Sequence, residues 1–293
     1  MPYRLNLRPT TRSARTPGRR AGLCATLLTG SVATLLAVGP VGPAAAAVTG
    51  TSDPSVSGTA RATVPSEARV TSAVLDLDHP GGQPLVRGKN LPYDTASIIK
   101  VDILATLLLQ AQDAGRGLTQ QERTRTEAMI ERSDNDAATA LWREIGQAPG
   151  LEAANKRLGL SSTVGGDGGL WGLTRTTATD QIRLLRAVFA DSGTSSALTT
   201  ASRTYIRTLM TRIATDQSWG VSAASDSGWA LKNGWLQRST TGLWDINSVG
   251  EVTSGTHHYL VAVLSDGNAS MTGGIAAVER AARAAVASVR VVG

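Results

Sequence analysis

From Ser97 to Ala114 the chain is apolar at almost every position, with Ile98, Ile99, Val101, Ile103, Leu104, Leu107, Leu108 and Leu109 leaving no polar stripe. A helix of this kind has no face to give to water, so other elements must enclose it on all sides. Gly115 and Gly117 end it at a length that suits a buried helix rather than a membrane span. Whatever the chain folds into must be large enough to wrap this element. Ser97 and Lys100 stand one helical turn apart at its start, and a lysine in such surroundings needs a reason.

The flanking sequence supplies the wrapping. Val70, Ala73, Leu75 and Leu77 lie in a strand-like segment, His79-Pro80-Gly81-Gly82 makes a turn, and Pro84 to Gly88 returns, so a hairpin is expected. Thr119 and Glu122 form a capping box that opens a polar helix running to about Arg132. A break at Ser133-Asp134-Asn135 precedes a helix through Ile145, closed by Gly146. Amphipathic patterns follow at Leu151–Leu158, Thr179–Phe189 and Ser202–Ile213. The period then drops to two over Trp229–Lys232, Leu243–Val249 and Tyr259–Leu264, and an alanine-rich helix over Ile275–Val289 closes the chain. Strands at both ends and helices between them predict an α/β protein of the α+β kind. One antiparallel sheet is built from both termini and flanked by helices, with an all-helical lobe inserted at about 103–213.

Residues 1–47 are set apart. Six arginines precede an apolar run that ends in Pro-Ala-Ala-Ala-Ala, the pattern of an export signal cut after Ala47. Arg19-Arg20 suits the twin-arginine route and Gly22 does not, so the route stays open. Cys24 lies before the main apolar run and does not resemble a lipid-attachment cysteine. Residues 48–66, rich in Ser, Thr, Gly, Ala and Pro, read as a flexible leader into a domain spanning 67–293. Once the signal is removed, 23 of the 29 basic residues remain against 23 acidic ones. The mature charge is about zero, which argues against nucleic acid or an acidic membrane as partner. The mature chain has no cysteine, so disulfide and thiolate chemistry are excluded.

In a helix, Ser97 and Lys100 share a face. A serine hydroxyl is a weak nucleophile until a neighbouring base takes its proton. Lys100 serves as that base only when uncharged, which burial among Ile98, Ile99 and Val101 promotes and a second nearby cation promotes further. The chain prefers arginine, and its four lysines are Lys89, Lys100, Lys156 and Lys232. An amine can lose a proton where a guanidinium cannot.

Ser133-Asp134-Asn135 at the break between helices and Lys232-Asn233-Gly234 in the first late strand follow Ser97-x-x-Lys100 in order. The three elements resemble those of the serine β-lactamase and penicillin-binding protein superfamily, class A β-lactamases in particular. The resemblance covers about Val70 to Val289, and Thr176 to Asp180 resembles the helix start that follows the active-site loop of class A members. It implies that Ser97 is acylated with Lys100 activating it, and that Ser133 relays a proton to the leaving nitrogen. Asn135 would orient Lys100 and hold the substrate amide, while Lys232 attracts the substrate carboxylate and helps to keep Lys100 neutral. Gly234 would let the strand approach the substrate, and the amides of Ser97 and Trp235 would form the oxyanion hole. Trp235 belongs at the cleft rim, Asp134 is a helix cap, and the remaining tryptophans read as core.

Two departures matter. Asn233 replaces a hydroxyl residue and offers only an amide donor to a substrate carboxylate. The segment Gly159–Arg175 has a single acid, Asp167, the candidate deacylation base or else a turn residue, and a poor match to the glutamate that activates the deacylating water in class A enzymes. The expectation is therefore an exported serine acyl-transfer hydrolase, acylated on Ser97 by a β-lactam or a related amide. Two alternatives stand beside it: a D-alanyl-D-alanine peptidase-like or slowly deacylating penicillin-binding protein, and a non-catalytic wall-binding module. The ligand is a small β-lactam or a peptidoglycan stem peptide, with no cofactor and a monomeric chain. His79, His257 and His258 are expected in turns with no carboxylate at ligand spacing, so no metal site is expected.

Overall fold

The computed structural model describes residues 68–79, 81–190 and 196–290. The expected export signal and leader, with Cys24, lie outside them. Strand β1 (Arg69–Asp76) turns into β2 (Leu85–Arg87), and the short β3 (Tyr93–Asp94) leads to a tight turn at Ala96–Ile98 and then to α1 (Ile99–Asp113). The helices α2 (Gln120–Glu131), α3 (Asn135–Glu144) and α4 (Gln147–Leu158) come next. The two-residue β4 (Arg175–Thr176), α5 (Ala178–Phe189) and α6 (Thr200–Met210) follow. Strands β5 (Gly228–Gln237), β6 (Trp244–Ser254) and β7 (His257–Asn268) and helix α7 (Met271–Arg290) complete the described chain.

All pairings in the five-stranded sheet, ordered β2-β1-β7-β6-β5, are antiparallel. Alternation along the strands sorts their side chains onto two faces. Ala73, Leu75, Val249, Leu260, Ala262 and Leu264 join the core shared with α1 to α6. Val74, Leu231, Val252, Val261 and Val263 pack instead beneath Val278, Ala282, Ala285 and Val286 of α7. Helix α1 is sheathed as its composition requires, being buried at all but three of its fifteen positions. The capping box at Thr119 and Glu122 forms as expected, and Asp134 caps α3 by accepting the Ala137 amide at 2.7 Å.

Two boundaries differ from the sequence expectation in ways that shape the site. Ser97 does not open the long helix: it sits in the 3₁₀ turn before it, where Ala96 adopts a left-handed φ of 46°. The cause lies 150 residues away. The Asn247 side chain on β6 donates to the carbonyls of Asp94 (2.9 Å) and Thr95 (3.1 Å) and pins the turn. Strand β5 also runs five residues past Lys232. Asn233 and Gly234 are turn formers by composition, yet here they lie in mid-strand, each for a reason given below.

Candidate active site

Two lysines that the sequence separates by 132 positions converge on one hydroxyl. Lys100 Nζ lies 3.0 Å from Ser133 Oγ, 2.7 Å from the Ser133 carbonyl and 2.8 Å from Asn135 Oδ1. Lys232 Nζ lies 3.0 Å from the same Ser133 Oγ and 3.0 Å from the Asn233 carbonyl. Both are essentially sealed from solvent, at 0% and 1% exposure. Burial brings Lys100 down to about 7, against a smaller upward pull from Asp134. Burial, and then repulsion from Lys100, hold Lys232 well below the ordinary lysine range. Two ammonium groups cannot share one oxygen cheaply in such a place, so the pair prefers to carry fewer than two positive charges.

The contacts suit an uncharged Lys100 as well as an ammonium that donates three times. An uncharged Lys100 gives its two N–H groups to the Ser133 carbonyl and Asn135, and its lone pair accepts the Ser133 hydroxyl proton. Lys232 then donates to the same oxygen. With a pKa of about 7, roughly half of Lys100 is neutral at pH 7, against on the order of one molecule in three thousand for an ordinary lysine. Ser133 is itself held at a left-handed φ of 55°, a strained state for a non-glycine residue that the two lysine contacts help to enforce.

Ser97 is half-buried beside this group. Among the described residues no hydrogen bond joins its hydroxyl to Lys100, whose contacts are directed to Ser133 and Asn135. Gly234 brings β5 directly against the Ser97 turn: a Cβ there would lie 2.7 Å from Ser97 N, 2.7 Å from Thr95 O and 2.9 Å from Ile98 N. The expected close approach to substrate is first a close approach to the serine's own backbone. Only glycine fits.

Asn233 departs from its expected role in substrate binding. Alternation turns it away from Lys232, and it is fully buried, donating to the carbonyls of Gln217 (2.7 Å) and Trp219 (2.8 Å). Its amide bolts β5 to the segment before it and has no donor left for a ligand. Asp167 is exposed and does not line the cleft, which has a volume of about 480 Å³. Ser97, Asn135, Trp171, Trp235 and Arg238 do line it, and no carboxylate is among its lining residues. Asn135 is exposed, and its amide nitrogen remains available to a ligand while its oxygen holds Lys100. Trp235 is half-buried with its ring 6.0 Å from that of Trp219. A larger cavity, of about 920 Å³ between α1, α2 and α6, contains none of these groups.

Trp171 is a site residue that sequence reasoning placed in the core. Its ring lies 4.9 Å from Lys100 Nζ, and its Nε1 donates to Thr139 Oγ1 at 3.1 Å. Its segment is tied to the Ser97 turn by the Thr95 amide, which donates to the Thr174 carbonyl at 2.9 Å, and by the pairing of β3 with β4. A tryptophan in Gly-Gly-Leu-Trp-Gly, where no core element is expected, was the available signal. Asn247 offered none. The histidines also differ from expectation: His257 and His258 belong to β7 rather than a turn, and a carboxylate, Asp76, stands three residues before His79.

A serine in a strained turn beside two buried lysines on a second serine, under a five-stranded antiparallel sheet, is the layout of the serine β-lactamase and penicillin-binding protein superfamily. The match to the family described as "Beta-lactamase enzyme family" runs over residues 123–289, more than half of the chain, and the chain belongs to that family. The matched span takes in Ser133 and Lys232 but begins after Ser97 and Lys100. The TLA-1 extended-spectrum β-lactamase superposes with a TM-score of 0.64 at 16% identity, covering 75% of this chain and 93% of that one. PBP-A superposes at 0.61 with 20% identity, over 74% and 88%. The Mycobacterium tuberculosis protein named "Putative lipoprotein LppW" is 30% identical over 123 residues, or 42% of this chain and 39% of its own. This chain thus aligns with about two-fifths of that relative's length.

Proposed function

We propose that the protein is an exported serine acyl-transfer enzyme that is acylated on Ser97 by a β-lactam or a related peptidoglycan amide and releases the acyl group slowly. The sharing of Ser133 Oγ by Lys100 and Lys232 carries this reading. A substrate carboxylate arriving at Lys232 favours the charged form of that amine, and within the coupled pair a proton on Lys232 disfavours one on Lys100. The lone pair of Lys100 then swings from Ser133 to the Ser97 hydroxyl and takes its proton as Oγ attacks the carbonyl. The amides of Ser97 and Trp235 receive the oxyanion, each such donor being worth about 3 to 4 kcal/mol. As the C–N bond breaks, Ser133 gives its proton to the nitrogen and is resupplied by a lysine.

Deacylation lacks a comparable device. General-base assistance is worth roughly 10² to 10⁴ in rate, and the cleft presents no carboxylate to supply it. Trp171 occupies the side of Lys100 toward the 164–175 segment, which limits water there. The reading therefore moves from rapid hydrolysis toward a slowly deacylating, penicillin-binding or peptidase-like role. An acyl-enzyme complex with penicillin G is described for a PBP-A variant, whose fold this chain shares at 21% identity.

Export is supported by the amino-terminal signal pattern and by the lipoprotein name of the mycobacterial relative. No helix among the described residues is long and apolar enough to cross a membrane. The test is the time course of a covalent penicillin adduct followed by mass spectrometry of the intact protein. An adduct on Ser97 that lasts minutes or longer is expected, with at least ~10²-fold slower acylation in Lys100→Ala. No adduct across several β-lactams, or ligand binding unchanged in Ser97→Ala and Lys100→Ala, points instead to a non-catalytic wall-binding module.

A further inference from the structure

On the face of the sheet away from the lysines, β1 ends at Asp76 and β7 begins at His257, 181 residues later in the chain. Asp76 pairs with Tyr259 in the β1–β7 register, and Tyr259 packs in the core beneath α7. His257 stands two residues before Tyr259, so strand alternation gives it the same face. The turn after β1 then returns His79 to Asp76. Both imidazoles approach one carboxylate oxygen: His257 Nδ1 lies 3.0 Å from Asp76 Oδ2, and His79 Nδ1 lies 3.4 Å from it. One ligand atom from each of the three residues falls within 4.8 Å of the other two.

We propose that Asp76, His79 and His257 bind one divalent transition-metal ion of the zinc class. The distances suit it. A tetrahedral ion with bonds of about 2.0 to 2.1 Å holds its donors roughly 3.3 Å apart, and two of the three separations already lie at 3.0 and 3.4 Å. The third closes by rotation of His79, whose side chain is 64% exposed and free to turn. Two imidazoles and one carboxylate favour zinc, copper or nickel over magnesium or calcium, which prefer oxygen donors. Three protein ligands leave a fourth position for water.

The supports are those a ligand set needs. The other oxygen of Asp76 accepts the Asp78 amide at 2.9 Å, which fixes the carboxylate's orientation. The His257 ring stacks on Tyr259 at 5.9 Å and 15°, and on the His79 ring at 6.4 Å and 18°. The bound ion would clip the β1–β2 turn to the start of β7. It sits across the sheet from Lys232, so it stabilises the strand pairing and leaves acylation untouched. The proposal stands whether or not Ser97 proves to be the nucleophile.

The experiment is calorimetric titration of zinc chloride into chelator-treated full chain carrying no histidine tag, with thermal melts beside it. Saturable one-to-one binding is expected, with a rise in melting temperature on the order of 5 to 10 °C at a hundredfold excess over the dissociation constant. His79→Ala and His257→Ala each weaken binding at least ~10-fold, since even partners outside the ligand set cost that much. His258→Ala keeps it, because His258 contacts Glu251 instead. Far-UV circular dichroism and an unchanged penicillin-acylation rate show that the variants are folded. The proposal is overturned by no saturable binding to the wild-type chain, by stoichiometric binding that survives both His79→Ala and His257→Ala, or by loss confined to His258→Ala.

Discussion

Gly234→Ala tests the geometry with one methyl group. The added carbon would lie 2.7 Å from Ser97 N and Thr95 O and 2.9 Å from Ile98 N. All three are backbone atoms of a turn that Asn247 holds by two hydrogen bonds. Ordinary contact begins near 3.4 Å, so strand and turn must part by about 0.7 Å. Such overpacking costs about 1 to 3 kcal/mol, or roughly 3 to 10 °C in melting temperature for a chain of this size. The larger effect is on chemistry. Lys232 stands two residues earlier on the same strand, so at most about 0.7 Å of the same shift passes to its 3.0 Å contact with Ser133 Oγ, which at the full value leaves hydrogen-bond range. A displacement approaching 1 Å costs on the order of 10 to 10² in rate. The assay pairs thermal melting with covalent labelling by a fluorescent penicillin. Gly117→Ala serves as control, because its nearest neighbour would be the tip of Arg123 at 4.0 Å. If Gly234→Ala labels at the wild-type rate, whether or not it melts early, the coupling of strand β5 to the Ser97 turn is refuted as a determinant of catalysis.

Three further outcomes are expected. Acylation should rise with pH through about 7, because the neutral form of Lys100 does the work, and should run about 50-fold slower at pH 5 than at pH 7. Asp134→Ala removes the carboxylate that raises Lys100 and moves that midpoint downward, at about 1 kcal/mol for the lost helix cap. A rate–pH curve centred near the ordinary lysine value, or an upward shift in the variant, contradicts this. Asn233→Ala leaves two carbonyls without their donor, so denaturant unfolding should show a loss of roughly 2 to 4 kcal/mol. The folded fraction should still be acylated within a few-fold of wild type, whereas a substrate-binding role predicts a larger loss of acylation with stability intact.

Lys100, Ser133 and Lys232 could be set in their elements from local patterns, namely the apolar enclosure around α1, a cap at Asp134 and a period-two run around Lys232. Their grouping with Ser97 came from three motifs whose order resembles a known family. That one antiparallel sheet is assembled from both ends of the chain followed from the same periodicities. What escaped depends on partners distant in sequence. Asn233 looked like a donor for ligand because nothing in Lys-Asn-Gly reveals that the strand continues past Lys232, which turns Asn233 to the opposite face, or that two carbonyls wait there. Asn247 reaches back about 150 residues to the Asp94 and Thr95 carbonyls, and Trp171 becomes part of the site only because β4 pairs with β3. The histidines were assigned to turns because His257 and His258 open a strand whose apolar run starts only at Tyr259, and Asp76 meets His257 across 181 positions.

The sheet also sets the order in which the site can be assembled. Strand β1 has only the three-residue β2 to lean on until β7 arrives, for Ala73 pairs with Ala262, and Lys232 reaches Ser133 only when β5 has been laid against β6. Such distant pairings form late, since loop closure must precede their reward. A nascent or clipped polypeptide therefore holds Ser97 and Lys100 without Lys232 beside Ser133, and the two-lysine arrangement exists only once the last strands have been laid down.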